Sequence, residues 1–166
     1  MAEKTGKKTV SITLKRTRPT LPKIIIASGF KLRRDKTTRL IDILLETTSQ
    51  KGERISLDPS LLQTNIQIFK QYLVRVPTVE DDAAIKEDIS VTEQGTFSNI
   101  LHCGHMGASA ETIFGVFSLS DWIDAANTPG SREVLCYDNV VVISRPEFQK
   151  KLIAELLTMI EQSEGK

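Results

Sequence analysis

The sequence predicts an α+β chain: two ββββα repeats with antiparallel sheets, each closed by a C-terminal helix, the pair related by a pseudo-twofold. Three observations predict it. Short apolar-polar alternations bounded by turn residues fill residues 9–57 and return between 97 and 144. Apolar stripes at steps of three and four follow each set, in Ser60 to Val76 and in Glu147 to Glu161. The two strand-to-helix junctions also correspond. Gly52-Glu53-Arg54-Ile55-Ser56-Leu57-Asp58-Pro59 is echoed 87 positions later by Asn139-Val140-Val141-Val142-Ile143-Ser144-Arg145-Pro146. On that offset Leu61 aligns with Phe148, Ile66 with Ile153, Phe69 with Leu156 and Leu73 with Ile160.

In chain order, residues 1–8 are polar and basic and read as a frayed end. The first repeat spans 9–77. Thr9 to Lys15 alternates strictly, with Val10, Ile12 and Leu14 on one face. Prolines 19 and 22 break it, since proline cannot donate to a ladder. Lys23 to Arg33 is the second strand. Alternation places Ile24, Ile26, Phe30 and Leu32 on one side and Ile25, Ala27, Lys31 and Arg33 on the other, with Gly29 marking a bulge or a close approach. Arg34-Asp35-Lys36 makes the turn to a third strand, Thr38 to Thr48, and Glu53 to Leu57 is the fourth. Asp58 caps the helix and Pro59 occupies its first turn, where a missing N–H costs nothing.

Residues 78–93 form an acidic connector, with a short strand expected near Ile89 to Val91. The second repeat, 94–162, opens with Phe97 to Cys103, turns at Gly104 to Ser109 and returns through Glu111 to Leu119. Ser120 to Asn127 reads as a single helical turn. Arg132 to Tyr137 and Val140 to Ser144 read as a hairpin about Asp138-Asn139, and Ser144 with Glu147 has capping-box spacing. The whole is expected to make one compact domain.

Composition narrows the function classes. Forty per cent hydrophobic and 26% charged residues make ordinary globular material. No apolar run approaches the length of a membrane span, so no membrane partner is expected. Two cysteines make no disulfide framework, and a reducing, cytoplasmic setting is the expectation. A net charge of +1 conceals a polarised chain. Residues 1–40 carry twelve Lys/Arg against Glu3 and Asp35, a net +10, leaving −9 for the other 126 residues. Such a segment calls for a polyanion or for an acidic surface.

Single-stranded nucleic acid binds where cations track phosphates and aromatic faces stack bases. The candidate contacts are Lys15, Arg16, Arg18, Lys23, Lys31, Arg33, Arg34, Lys36 and Arg39, with Lys23, Lys31 and Arg33 sharing an open sheet face. Phe97, Trp122 and Tyr137 are the available stacking side chains. The partner expected is single-stranded DNA or RNA. The alternative is a protein-interaction or self-assembly module whose basic strands dock an acidic partner or another copy. The stripes of both helices are wider than one sheet needs, which adds the expectation of a homo-oligomer.

His102-Cys103-Gly104-His105 invites a zinc reading. Neighbouring strand residues point to opposite faces, and closed zinc sites combine separated pairs, so only His102 and His105 could converge. No metal and no cofactor is expected. The carboxylate pairs Asp81-Asp82, Glu87-Asp88 and Asp121/Asp124 lack a partnering nucleophile or histidine dyad. No enzyme is expected.

The run Arg39-Leu40-Ile41-Asp42-Ile43-Leu44-Leu45-Glu46, followed by Lys51 to Pro59, resembles the last strands and helix start of the single-stranded-DNA-binding coactivator family of positive cofactor four. That domain is four strands and a helix. A chain carrying it twice, over residues 9–162, is similar to the Whirly proteins and to guide-RNA-binding proteins of the same superfamily. The resemblance implies the tandem fold.

Overall fold

One mixed sheet organises the molecule. The computed structural model describes residues 9–17, 22–48, 51–76, 82–91 and 95–164. Its strands are β1 (Val10–Thr17), β2 (Lys23–Arg34), β3 (Ile41–Thr47), β4 (Glu53–Leu57), β5 (Thr96–Ser98), β6 (Ile100–Met106), β7 (Ser109–Phe117) and β8 (Gly130–Ser144). Helices α1 (Ser60–Thr64) and α2 (Ile66–Arg75) follow β4, α3 (Leu119–Ala126) precedes β8, and α4 (Pro146–Glu164) follows it. The α+β class is as expected, and no helix among the described residues is long and apolar enough to cross a membrane.

The pairing differs from the expectation of antiparallel sheets. The order is β5-β4-β3-β2-β8-β7-β6, with β1 also beside β8. The β1–β8, β2–β8 and β4–β5 pairs are parallel. The cause is β8, which is not a hairpin about Asp138-Asn139 but one strand of 15 residues. Its first half pairs with β1 and its second half with β2. Asn139 is absorbed as a bulge, where the register with β7 shifts between Phe114 and Gly115.

β5 and β6 stand at opposite ends of the strand order, yet only Asn99 separates them. The sheet therefore curls until its two ends share one segment. Side chains make that switch. The Asn99 amide donates to the Phe117 carbonyl at 3.1 Å and its oxygen accepts from the Phe117 N–H at 3.0 Å, in place of a main-chain pair. The buried Ser98 hydroxyl donates to the Gly115 carbonyl at 2.8 Å. Gly115 is required at this crossing, because a Cβ there would stand 2.6 Å from the Tyr137 carbonyl oxygen.

Gly29 bears out the bulge reading, and the bulge overturns the predicted facing. The register of β2 on β3 shifts between Ala27 and Gly29. Before the shift Ile25 and Ala27 are buried; after it Phe30 is. Ile24 and Ile26 consequently point outward, 62% and 58% exposed, opposite to where unbroken alternation put them.

Two apolar cores lie on opposite faces of the sheet. On the front face, α4 buries Phe148, Leu152, Ile153, Leu156 and Ile160 against Phe30, Ile43, Leu45, Ile55, Phe114 and Val142, with α2 packed alongside. Phe30 meets Phe148 edge-on, with centroids 5.5 Å apart. On the back face, α3 closes a smaller core of Ile100, Phe117, Val134 and Cys136 over Ile12 and Leu14. α3 has eight residues rather than one turn, and Ser118 caps it by accepting the Asp121 N–H.

Other local expectations divide. Asp58 accepts the Ser60 N–H at 3.0 Å, but α1 begins one residue later than expected: Pro59 is its N-cap and no side chain caps it. The helix expected from Ser60 to Val76 is broken at Asn65, whose amide donates to the Leu61 carbonyl at 2.9 Å. Ser144 makes no capping box; its hydroxyl donates to the Arg145 carbonyl. The strand expected at Ile89 to Val91 is reduced to a single bridge from Val91 to Gly52, and Ile85 bridges Phe30.

Candidate nucleic-acid interface

The nine predicted basic contacts do not gather on one surface. Arg18 lies outside the described residues. Arg16 points to the back face and forms a two-point ion pair with Asp138 (2.9 and 3.3 Å), whose side chain is only 2% exposed. That pair raises the guanidinium pKa, through the hydrogen bond first. Arg33 pairs with the buried Asp42 at 3.0 Å. Lys31 donates to the Glu87 carbonyl at 2.7 Å. Arg34 reaches the Met159 and Arg39 carbonyls, each at 3.5 Å. Lys36 and Arg39 sit exposed near the tip of the β2–β3 hairpin, where Arg34, Arg39, Asp58 and Ser60 line a hollow of about 440 Å³.

The predicted open face of Lys23, Lys31 and Arg33 therefore does not exist. The bulge puts Lys23 on the front, in line with Ile25, while Lys31 and Arg33 lie on the back with their charges engaged. Three of the cations in the first 40 residues meet carboxylates: Arg16 with Asp138, Lys23 with Glu53 and Arg33 with Asp42. Pairs such as Arg16 with Asp138, from strands far apart in sequence, leave no local signature.

A different basic surface takes its place. A cavity of about 750 Å³ opens where β2 parts from β3. Lys23, Lys51 and Arg54 line it, together with Glu53, which pairs with Lys23. Its floor is apolar, from Ile25, Ile55 and Val140. Register extends this front surface along β8: Val140 stands beside Lys23, Tyr137 beside Thr17, and Leu135 beside Lys15. Neither core reaches Leu135 or Tyr137, and both are exposed, Tyr137 at 37%. Tyr137 lies roughly 10 Å along the strand from Val140. Lys15, Lys23 and Lys51 thus face Glu53 and the exposed Glu133 across one surface, while Arg54, in register with Leu44 and Lys31, lines the cleft from the back-face row of β4. Of the predicted contacts only Lys15 and Lys23 belong to it. Lys51 and Arg54 were missed, although Lys51-Gly52-Glu53-Arg54 at the head of β4 carried the charge.

The histidine cluster is split by the strand. His105 turns to the front, where the Tyr72 hydroxyl lies 3.1 Å from its Nδ1, and His102 turns to the back beside Ile113. Among the described residues no three His, Cys, Asp or Glu side chains are grouped to hold a metal ion. Tyr72 also donates to Gln149 Oε1, and the fully buried Gln149 amide donates to the Glu111 carbonyl at 2.8 Å. This network ties α2 and α4 to the β6–β7 hairpin. Burial pushes both the Cys103 thiol and the Tyr72 hydroxyl up to about 12, so each is protonated at neutral pH. No family model, curated protein or solved structure matches the chain.

Proposed function

We propose that the chain binds single-stranded DNA or RNA, without catalysis, on the front surface that runs from the Lys23–Lys51–Arg54 cleft to Tyr137 and Lys15. The observation that carries this reading is the cleft itself, three cations to one carboxylate over an apolar floor. Cations beside a part-exposed aromatic ring on an uncovered strand surface are what a flexible polyanion with stackable bases requires. The tandem architecture belongs to the same proposal. Each run of four strands, β1–β4 and β5–β8, is followed by a helix entered at a proline: Pro59 is the N-cap of α1 and Pro146 the first residue of α4. Each run also ends on a strand that pairs in parallel with the first strand of the other, β4 with β5 and β8 with β1. A twofold relating two copies of one unit requires that pattern.

Titrating a labelled oligonucleotide across a salt series tests the binding. Four phosphate contacts predict a slope of log K on log salt of about −3 for a single strand. Absence of binding at low salt, or a flat slope, ends the proposal.

A further inference from the structure

We propose that the back face of β6, β7, β8 and β2 is a docking surface for a partner polypeptide segment that carries one basic side chain beside an apolar stripe. Register places Ile113, Val141 and Ile24 in one row across three strands, and Glu111, Ile143 and Ile26 in the next. Ile24 and Ile26 lie largely bare at one end of these rows. Two outward isoleucines at alternate positions of one strand are costly to leave in water.

At the other end the rows run into a hollow of about 450 Å³, lined by Arg16, His102, Glu111 and Ile113 among others. The charges there define the occupant. Arg16 is already matched by Asp138. His102 is half-buried, and burial followed by the nearby Arg16 lowers its pKa, so the ring is neutral at pH 7. Its Nε2 is buried with no hydrogen-bond partner. Glu111 is exposed and forms no salt bridge among the described residues, although it lies close enough to Arg16 to help raise the guanidinium pKa. The end of the surface thus carries a net negative charge and a hollow large enough for a long side chain. A lysine or arginine entering it meets Glu111, while apolar neighbours cover Ile143, Ile24 and Ile26; Val141 and Ile113 between them are already buried. The same sign disfavours nucleic acid at this face, which separates the surface from the one proposed for binding nucleic acid.

Selection of a random-peptide display library on the immobilised full chain tests the inference, with enriched peptides synthesised and titrated by fluorescence anisotropy. Enriched sequences should share apolar residues flanking one Lys or Arg. Ile26→Asp should weaken them at least about tenfold, by loss of the apolar contact. Glu111→Gln should weaken them by about threefold, as for an exposed ion pair. Glu111→Lys should shift the selected peptides from basic to acidic, an outcome that needs a folded protein and so controls for unfolding of the isoleucine variant. Failure to enrich, or peptides that bind Ile26→Asp and Glu111→Lys as they bind the parent, overturns the proposal. So does a dimer in sedimentation equilibrium that Ile26→Asp dissolves, which would make a second copy the occupant. Loss of oligonucleotide binding in Ile26→Asp would assign the face to nucleic acid and overturn it equally.

Discussion

The two halves of β8 bury opposite faces. From Val134 to Asp138 the back is closed, with Val134, Cys136 and Asp138 buried, while Leu135 and Tyr137 are exposed in front. From Val140 to Ser144 the front is closed by α4, and the neighbouring back positions on β2, Ile24 and Ile26, are bare. One bulged residue, Asn139, makes the exchange, because an extra residue in a strand moves every later side chain to the other face. A single strand thereby presents two uncovered surfaces of different chemistry. The front one is cationic with a tyrosine; the back one is apolar and ends on the exposed Glu111.

Stability should be most sensitive where the closed back meets charge. Arg16→Met leaves the buried Asp138 carboxylate without its two-point partner, and removing one member of such a pair costs about 3 kcal/mol or more. A figure near the lower end is expected, since Asp138 has a further interaction. Asp138→Asn should cost less, because the Arg16 side chain is 40% exposed and can turn to water. Urea unfolding of the two variants checks the order. A larger loss for Asp138→Asn would mean that the guanidinium, not the carboxylate, is the buried member.

Binding should be most sensitive on the front. Lys23→Gln, Lys51→Gln and Arg54→Gln combined should lower oligonucleotide affinity by about a hundredfold at low salt and make the salt slope shallower by about 2. Arg33→Gln combined with Lys31→Gln should leave both nearly unchanged, since those cations are engaged on the back. Equal losses from both sets would erase the distinction between the faces.

Tyr137→Ala should follow, with about tenfold weaker binding to a single strand, within the range for one lost base stack. Its effect on a duplex oligonucleotide should be much smaller, because paired bases offer no free face to the ring. Unfolding should barely shift, the side chain being already part-exposed. A loss that is the same for duplex and single strand would make Tyr137 a spacer for the cations rather than a stacking platform.

How far the sequence could be read follows from the range of each determinant. Helices announced themselves through residues three and four apart, and the strand-to-helix junction at Asp58-Pro59 formed with its helix starting one residue later than local chemistry predicts. The bulge at Gly29 was legible as a glycine within a strand, but not which side of it would be buried; that was decided by where α4 packs. Asp138-Asn139 carried a turn signal and became the middle of a strand, because Arg16, 122 residues away, satisfies Asp138. The candidate interface was the least legible part. Charge density was visible, while the ion pairs that remove Arg16 and Arg33 from it, and the gap between β2 and β4 that adds Lys51 and Arg54, are products of tertiary pairing.

The smallest effect should come from pH, and it probes the back face without a ligand. Burial holds His102, on the back, below its ordinary value. Between that lowered value and the unfolded value of about 6.5, the unfolded chain binds the extra proton. The contribution of His102 to stability is therefore complete above about pH 6.5 and is lost as pH falls through the lowered folded value. The urea midpoint of the parent should drop more from pH 7 to 5 than that of His102→Gln, which cannot take up the proton. If His102→Gln leaves the pH profile as it is in the parent, the back face holds no special histidine.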